Sequence, residues 1–150
     1  MRSVAEIEHW LDSGDRAADP AEHARQLLEA GEDVLANWIV ARGMGEPTDR
    51  RQEGFRLLAL HRQGSKGDPS FNACRETCRE LAYHYNLVTD SSVERNPETT
   101  LAMMRLVTKH LTLFIGGKLQ EAGLGEFCCS SKSLRTDPKD LADKVGAENA

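Results

Sequence analysis

The sequence has no long hydrophobic run, few aromatic residues and no excess of positive charge. No segment approaches the roughly 18 consecutive apolar residues of a membrane-spanning helix, so we expect no transmembrane span. Lys and Arg number 19 against 24 Asp and Glu, a formal net charge of −5, which argues against a dedicated nucleic-acid-binding protein. Aromatic residues make up only 5% of the chain, and no long stretch alternates apolar and polar residues, so β-strands are not expected.

Common catalytic signatures are also missing. The segment 64–67 (Gly-Ser-Lys-Gly) lacks the first half of a phosphate-binding P-loop, and no Gly-x-Ser-x-Gly nucleophile elbow occurs. The N-terminus places charged residues too early for a secretory signal peptide, so we expect a soluble, cytoplasmic protein. The lack of an assembled acid, base or nucleophile favours a binding function over catalysis.

Four of the five prolines directly follow Asp or Asn, which is a helix-start pattern. The Asp or Asn side chain accepts from a free amide of the first turn, and proline there loses nothing because its missing N–H would have no partner. These pairs begin at Asp19, Asp68, Asn96 and Asp137. The fifth proline precedes Thr48, which predicts a cap for a helix that begins at Asp49.

The hydrophobic spacing predicts an all-α, single-domain bundle of about six helices in residues 1–123. The helices are expected over 4–13, 20–30, 33–42, 49–63, 69–87 and 97–123, with Gly14 and Gly31 ending the first two. Residues 124–150 are expected to form a cysteine-containing tail with a short helix at 138–145. A length of 150 residues suits one domain of this kind.

The helix predicted over 97–123 is apolar on nearly all sides between Leu111 and Ile115. A helix that is apolar all round is normally buried, so we expect this one to occupy the middle of the bundle. The pair Gly116-Gly117 is expected to end or kink it.

Charge is distributed unevenly along the chain. Residues 1–40 carry nine acidic side chains against three arginines, a net charge of −6, which leaves +1 for the rest. This asymmetry is typical of two solvated faces of one domain; alternatively, it would orient a protein partner or let copies of the chain meet head to tail. The four arginines in 49–63 are not interleaved with the Ser, Gln and Asn typical of base readers, so a nucleic-acid partner is not expected.

Four cysteines form the main chemical constellation. Cys74 and Cys78 are four residues apart on a predicted helix, so their side chains share a face, and Cys128 and Cys129 are adjacent in the tail. Four thiolates supplied by a helix and a loop are a ligand set that zinc or an iron–sulfur cluster accepts. Cys128 and Cys129 are adjacent, which departs from the usual spacing of zinc ligands. Adjacent side chains point apart, so it is awkward for both to bind one metal ion.

Two other interpretations of Cys74 and Cys78 remain open. Both lie on a stripe with Phe71 and Leu81 that we expect to face the core, where free cysteine packs as a small hydrophobe. Alternatively, Cys74, Cys78 and His84 would form the site of a thiol-dependent peroxidase or reductase, because a nearby imidazole lowers the pKa of a thiol.

A second set combines carboxylates and imidazoles. Glu76, Glu80 and His84 form a ridge on the same predicted helix, and His61 and His110 lie on neighbouring helices. The ridge is typical of salt-bridge pairing on a wet helix face, and the repeated Glu-x-x-His motif of di-iron bundles is missing. Metal binding is the alternative interpretation of this set.

Together, these features predict a small accessory or regulatory protein that binds a partner protein or another copy of itself. A metal or redox site would be formed by Cys74, Cys78, Cys128 and Cys129, with zinc or an iron–sulfur cluster as the candidate cofactor. The alternative function is the thiol-dependent enzyme that uses Cys74, Cys78 and His84.

Overall fold

The computed structural model describes residues 1–90 and 96–124, and the fold in these ranges is all-α, as predicted. Helix α1 spans Val4–Ser13, α2 Pro20–Ala41, α3 Arg56–Gly64, α4 Arg75–Thr89 and α5 Pro97–Glu121, and a 3₁₀ helix, Pro69–Cys74, directly precedes α4. None of these helices is long and apolar enough to cross a membrane. The predicted tail, with Cys128, Cys129 and the helix expected at 138–145, lies outside the described residues.

The helix starts predicted at Asp19 and Asn96 are confirmed, and the helix expected over 4–13 begins at Val4 with Ser3 as its cap. Ser3 and Glu6 form a capping box, in which the Glu6 amide donates to Ser3 Oγ at 3.1 Å and the Ser3 amide donates to Glu6 Oε1 at 2.8 Å. The side chains of Asp19 and Asn96 accept from amides in the first turns of α2 and α5, and each is followed by proline. These contacts satisfy amides that have no partner within the helix.

The two helices predicted over 20–30 and 33–42 are one helix, α2, so residues 1–90 and 96–124 contain five α-helices rather than the six expected. Gly31 does not end a helix but lies buried in the middle of α2. A Cβ atom at Gly31 would lie 2.9 Å from Leu81 Cδ2 and 3.2 Å from Leu57 Cδ1. The glycine therefore allows α2 to pack closely against its neighbours.

The helix predicted over 49–63 begins later, at Arg56. Gln52 and Phe55 exchange two backbone hydrogen bonds of 3.0 Å, which closes a tight turn. Within this turn Glu53 and Gly54 have φ angles of 54° and 86°, in the left-handed region that a right-handed helix excludes. The predicted helix start at Asp49 is therefore wrong.

The last two helices follow their predictions with adjustments. The segment predicted as a helix over 69–87 is divided between the 3₁₀ helix and α4, which ends at Thr89. Helix α5 continues through Gly116-Gly117 to Glu121 and packs against α1, α2 and α4. However, α5 is not buried on all sides, because Leu113 is 53% exposed.

The core lies between the inner faces of α2 and α5 and the shorter helices around them. The Trp38 and Phe71 rings stack with centroids 5.3 Å apart, and Trp38 Nε1 donates to the Gly64 carbonyl at 3.0 Å. Full burial of a large apolar side chain of this kind contributes about 1.5–3 kcal/mol to stability. The largest fully buried side chains also include Leu27, Leu35, Leu57, Leu81 and Leu111.

Candidate functional site

Cys74 and Cys78 lie in the core, at the junction between the 3₁₀ helix and α4. Their exposed fractions are 1% and 0%, which confirms that this pair shares the buried face with Phe71 and Leu81. Both cysteines are free, and Cys74 Sγ donates to the Phe71 carbonyl at 3.3 Å. The two thiols are therefore part of the hydrophobic packing, whatever further role they have.

The environment separates the pKa values of the two thiols. The hydrogen bond between the thiols lowers the pKa of Cys74 to about 6, and the hydrogen bond and charge of His61 act in the same direction against the effect of burial. The hydrogen bond with Cys74, together with burial, raises the pKa of Cys78 well above its ordinary value. Cys74 is thus the thiol that ionises first.

The structure brings His61, from α3, next to Cys74. His61 is buried, its Nε2 lies 3.1 Å from the Phe71 carbonyl oxygen, and its ring centroid is 5.3 Å from that of Phe71. His84, which the sequence singled out, is half-buried, and its Nδ1 lies 2.8 Å from the Glu80 carbonyl of its own helix. Six residues separate His84 from Cys78, a rise of about 9 Å along the helix axis.

No metal centre is formed by the part of the chain that the structure describes. Within 1–90 and 96–124, no three His, Cys, Asp or Glu side chains are grouped so that they could hold a metal ion. His110 is exposed on α5 whereas His61 is buried on α3, so the second candidate set is not brought together. Cys128 and Cys129 lie outside these ranges, so the four-cysteine site stays a prediction.

A cavity of about 240 Å³ opens beside His61, between α3 and the start of α4. Its polar lining includes Arg62, Ser65, Asn72, Arg75 and Arg79, without an acidic residue. Arg79 forms an ion pair with Glu53 at 3.0 Å. The side chains of Arg62 and Arg75 form no ion pair with any described residue. We call this feature the arginine cavity.

A row of side chains on α5, Met103, Leu106, His110 and Leu113, faces solvent. The exposed fractions of its three apolar members are 43%, 63% and 53% in that order, and His110 is exposed as well. The spacing of three, four and three residues is that of the a and d positions along which two helices pack. We call this row the α5 outer face, and its exposure corrects the expectation that α5 is buried all round.

Helix α1 brings Glu8 and Asp12 to a border of mixed charge beside the α5 outer face, where Lys109 and Arg105 also lie. Lys109 Nζ of α5 lies 3.2 Å from Asp12 Oδ1, and Arg105 donates to the Leu11 carbonyl. Burial raises the pKa of the adjacent Glu8, and the negative charge of Asp12 adds to this effect while Lys109 opposes it. Two carboxylates thus surround one ammonium group at this border.

The chain matches no known protein family, and no curated protein or solved structure is significantly similar to it. Its function is therefore inferred from three features of its own geometry. These are the buried thiol pair with His61, the arginine cavity, and the α5 outer face.

Proposed function

We propose that this protein is a small accessory or regulatory protein that binds a partner protein through the α5 outer face. The observation that carries the proposal is the row of exposed apolar side chains at heptad spacing on a helix whose other faces pack in the core. A partner helix would remove this apolar surface from water, which is worth roughly 25 cal/mol per Å². Apolar side chains of the partner helix would pack between Met103, Leu106 and Leu113.

The occupant we propose is an amphipathic α-helix with basic residues beside its apolar stripe. Glu8 and Asp12 would pair with Lys or Arg at the flanking positions of such a helix, in competition with Lys109, which already pairs with Asp12. The net charge of −6 over residues 1–40 would steer a basic partner towards the N-terminal part of the chain, which includes α1.

A second copy of the chain fits this surface less well. In an antiparallel pair of copies centred on His110, flanking positions of the same type meet, so Glu8 and Asp12 of one copy would lie opposite the same residues of the other. Like charges in such positions oppose association. Self-association is therefore an outcome of the test that would count against the proposed partner.

Binding of synthetic peptides would test the proposal. One peptide carries Leu at the a and d positions and Lys at the flanking positions, a second replaces Lys with Glu, and a third scrambles the Leu positions. Fluorescence anisotropy would measure the dissociation constant of each peptide for the full chain. A Leu106→Lys, Leu113→Lys double variant removes the apolar row, and Val40→Lys is the matched control because Val40 is 52% exposed on α2.

We expect the Lys-flanked peptide to bind at least about tenfold more tightly than the Glu-flanked and scrambled peptides. The double variant should lose this binding, whereas Val40→Lys should keep it. Equal binding of all three peptides, or no saturation below about 1 mM, would overturn the proposal. A dimer of the unmodified chain in sedimentation equilibrium, with the double variant a monomer, would also overturn the proposal. The α5 outer face would then be the contact between two copies of the chain.

A cytoplasmic location is part of the proposal, because Cys74 and Cys78 are both free thiols. The four-cysteine metal or redox switch also remains a proposal, and elemental analysis tests it. About one zinc per chain, or iron with sulfide, that is lost in a Cys128→Ser, Cys129→Ser variant would support the switch. Purified protein without either metal, together with unchanged peptide binding by the variant, would contradict it.

A second candidate function, a thiol-dependent peroxidase, is favoured by the lowered pKa of Cys74 and by the adjacent His61. In this reaction the Cys74 thiolate and a proton convert hydrogen peroxide to water and leave a sulfenic acid. The Cys78 thiol then attacks the sulfenic sulfur, which releases a second water and forms the disulfide. Because both thiols are buried, peroxide has to enter the core, which is why binding is the first proposal.

Thiol titration in a Cys128→Ser, Cys129→Ser background would test the enzyme function, since only Cys74 and Cys78 then remain. Paired loss of both thiols within seconds of adding hydrogen peroxide is the expected result for a peroxidase. A His61→Gln variant should slow this loss and His84→Gln should not. Thiols that persist for hours in peroxide under native conditions would exclude this function.

A further inference from the structure

We propose that the arginine cavity binds a small phosphate monoester. The site lies between α3 and the start of α4 and is formed by residues other than those of the α5 outer face. Its failure would therefore leave the proposed protein-binding function untouched.

The charges in the cavity match a dianion. Arg62 and Arg75 are exposed, line the same space and have no ion-pair partner among the described residues. Both terminal nitrogens of Arg79 donate to a single carboxylate oxygen of Glu53, at 3.1 and 3.0 Å. A guanidinium group donates two parallel hydrogen bonds to phosphate oxygens, which is why arginine is common at phosphate sites.

The arginines around the cavity repel one another weakly, because Arg79 is paired with Glu53 and the other two are exposed. Arg75 and Arg79 are four residues apart on α4, a spacing at which like charges destabilise a helix. The chain as a whole carries a net charge of −5, so three arginines around one cavity are not a consequence of general basicity. A bound dianion would offset this repulsion.

The size and the remaining lining residues indicate an organic phosphate. A volume of about 240 Å³ exceeds the space that a bare phosphate ion needs, since one water molecule occupies about 30 Å³ in the liquid. Buried Leu58 offers an apolar surface, and Ser65 and Asn72 offer polar groups, to the part of the ligand beyond the phosphate.

His61 connects the cavity to the thiol pair. It lines the arginine cavity, and its Nε2 and the Cys74 thiol both lie against the Phe71 carbonyl, where His61 lowers the pKa of Cys74. Negative charge in the cavity would disfavour the thiolate form of Cys74, because a nearby like charge opposes ionisation. Ligand binding should therefore slow the alkylation of Cys74 at neutral pH.

Isothermal titration calorimetry with the full chain would test this site. The probes are glycerol 3-phosphate, inorganic phosphate, sulfate and uncharged glycerol at one fixed ionic strength. The test variant is Arg62→Gln, Arg75→Gln. Arg50→Gln is the matched control, because Arg50 is exposed and does not line the cavity. Thermal unfolding of each variant confirms that it is folded.

We expect glycerol 3-phosphate to bind with a dissociation constant below about 1 mM, and glycerol not to bind. The double variant should weaken binding at least about tenfold, and Arg50→Gln less than about twofold. Inorganic phosphate or sulfate that binds as tightly as glycerol 3-phosphate would overturn the monoester assignment and leave a simple anion site. Absence of binding, or equal losses in both variants, would overturn the site altogether.

Discussion

Helices α2 and α5 are the two longest described helices, and the surfaces that they present to solvent differ in chemical character. They have 22 and 25 residues, each begins with proline after an Asp or Asn cap, and each buries one face in the core. On the outer side of α2, Arg25 pairs with both Glu22 and Glu29. The outer side of α5 instead presents Leu106 and Leu113. Ion pairs thus occupy the outer side of α2 near its start, whereas the outer side of α5 leaves apolar side chains in solvent.

The two faces of α5 should differ most in their contribution to stability. Leu111→Ala, on the inner face, should lower the free energy of unfolding by about 2–5 kcal/mol, because Leu111 is fully buried and a cavity would remain. Leu113→Ala, on the outer face, should change it by less than about 0.5 kcal/mol. Urea denaturation of both variants measures the difference. Similar losses in the two variants would mean that Leu113 is packed in the folded monomer.

Two glycines extend the comparison to the backbone. Gly31→Ala in α2 should lower the free energy of unfolding by about 1 kcal/mol, because the added Cβ meets Leu81 and Leu57 in the core. Gly117→Ala in α5 should raise it by about 0.5–1 kcal/mol, because helix propensity improves and no atom lies within 4 Å of the added Cβ. The same denaturation experiment measures both. A stabilising Gly31→Ala would show that close packing does not require glycine there.

The smallest effect concerns pH. Burial lowers the pKa of His23, on the inner side of α2, below its ordinary value of 6.5, and the charges of Arg16 and Arg105 act in the same direction. The unfolded chain therefore binds a proton more readily than the folded chain. The stabilising contribution is complete above about pH 6.5 and is lost as the pH falls through the folded pKa.

A His23→Gln variant should flatten this part of the stability profile, which thermal unfolding between pH 7 and pH 5 would measure. The control is His110→Gln, since His110 is exposed on the α5 outer face. If the stability still depended on pH in His23→Gln but no longer did so in His110→Gln, the titrating group would be His110 on α5 and the account of His23 would be wrong.

Local signals in the sequence predict the starts of α1, α2 and α5, but they misplace the start of α3 and wrongly end a helix at Gly31. The caps at Ser3, Asp19 and Asn96 depend on side chains within three residues, so sequence alone was sufficient. Gly31 has the same local signature as a helix stop, and only packing from α3, α4 and α5 shows its role. Thr48 does accept from the Arg50 amide at 3.0 Å, but that bond stabilises a turn as readily as a helix.

The candidate site was predictable only where it depends on one helix. The four-residue spacing of Cys74 and Cys78 correctly predicts a shared, buried face. His61 lies 13 residues before Cys74 on a different helix, so its contact with the thiol depends on how α3 packs against α4. The same holds for the arginine cavity, in which Arg62 and Arg75 come from different helices. The α5 outer face was missed because an apolar helix was equated with a buried one.

Chemical-shift mapping by NMR tests the difference between the outer faces of α2 and α5 most directly. The Lys-flanked amphipathic peptide would be titrated into the isotope-labelled full chain. We predict the largest amide shifts around Leu106, His110 and Leu113, with the amides of Arg25 and Glu29 unchanged. Shifts concentrated on the outer side of α2, or no shifts on α5 at saturating peptide, would contradict the proposal that α5 is the binding surface.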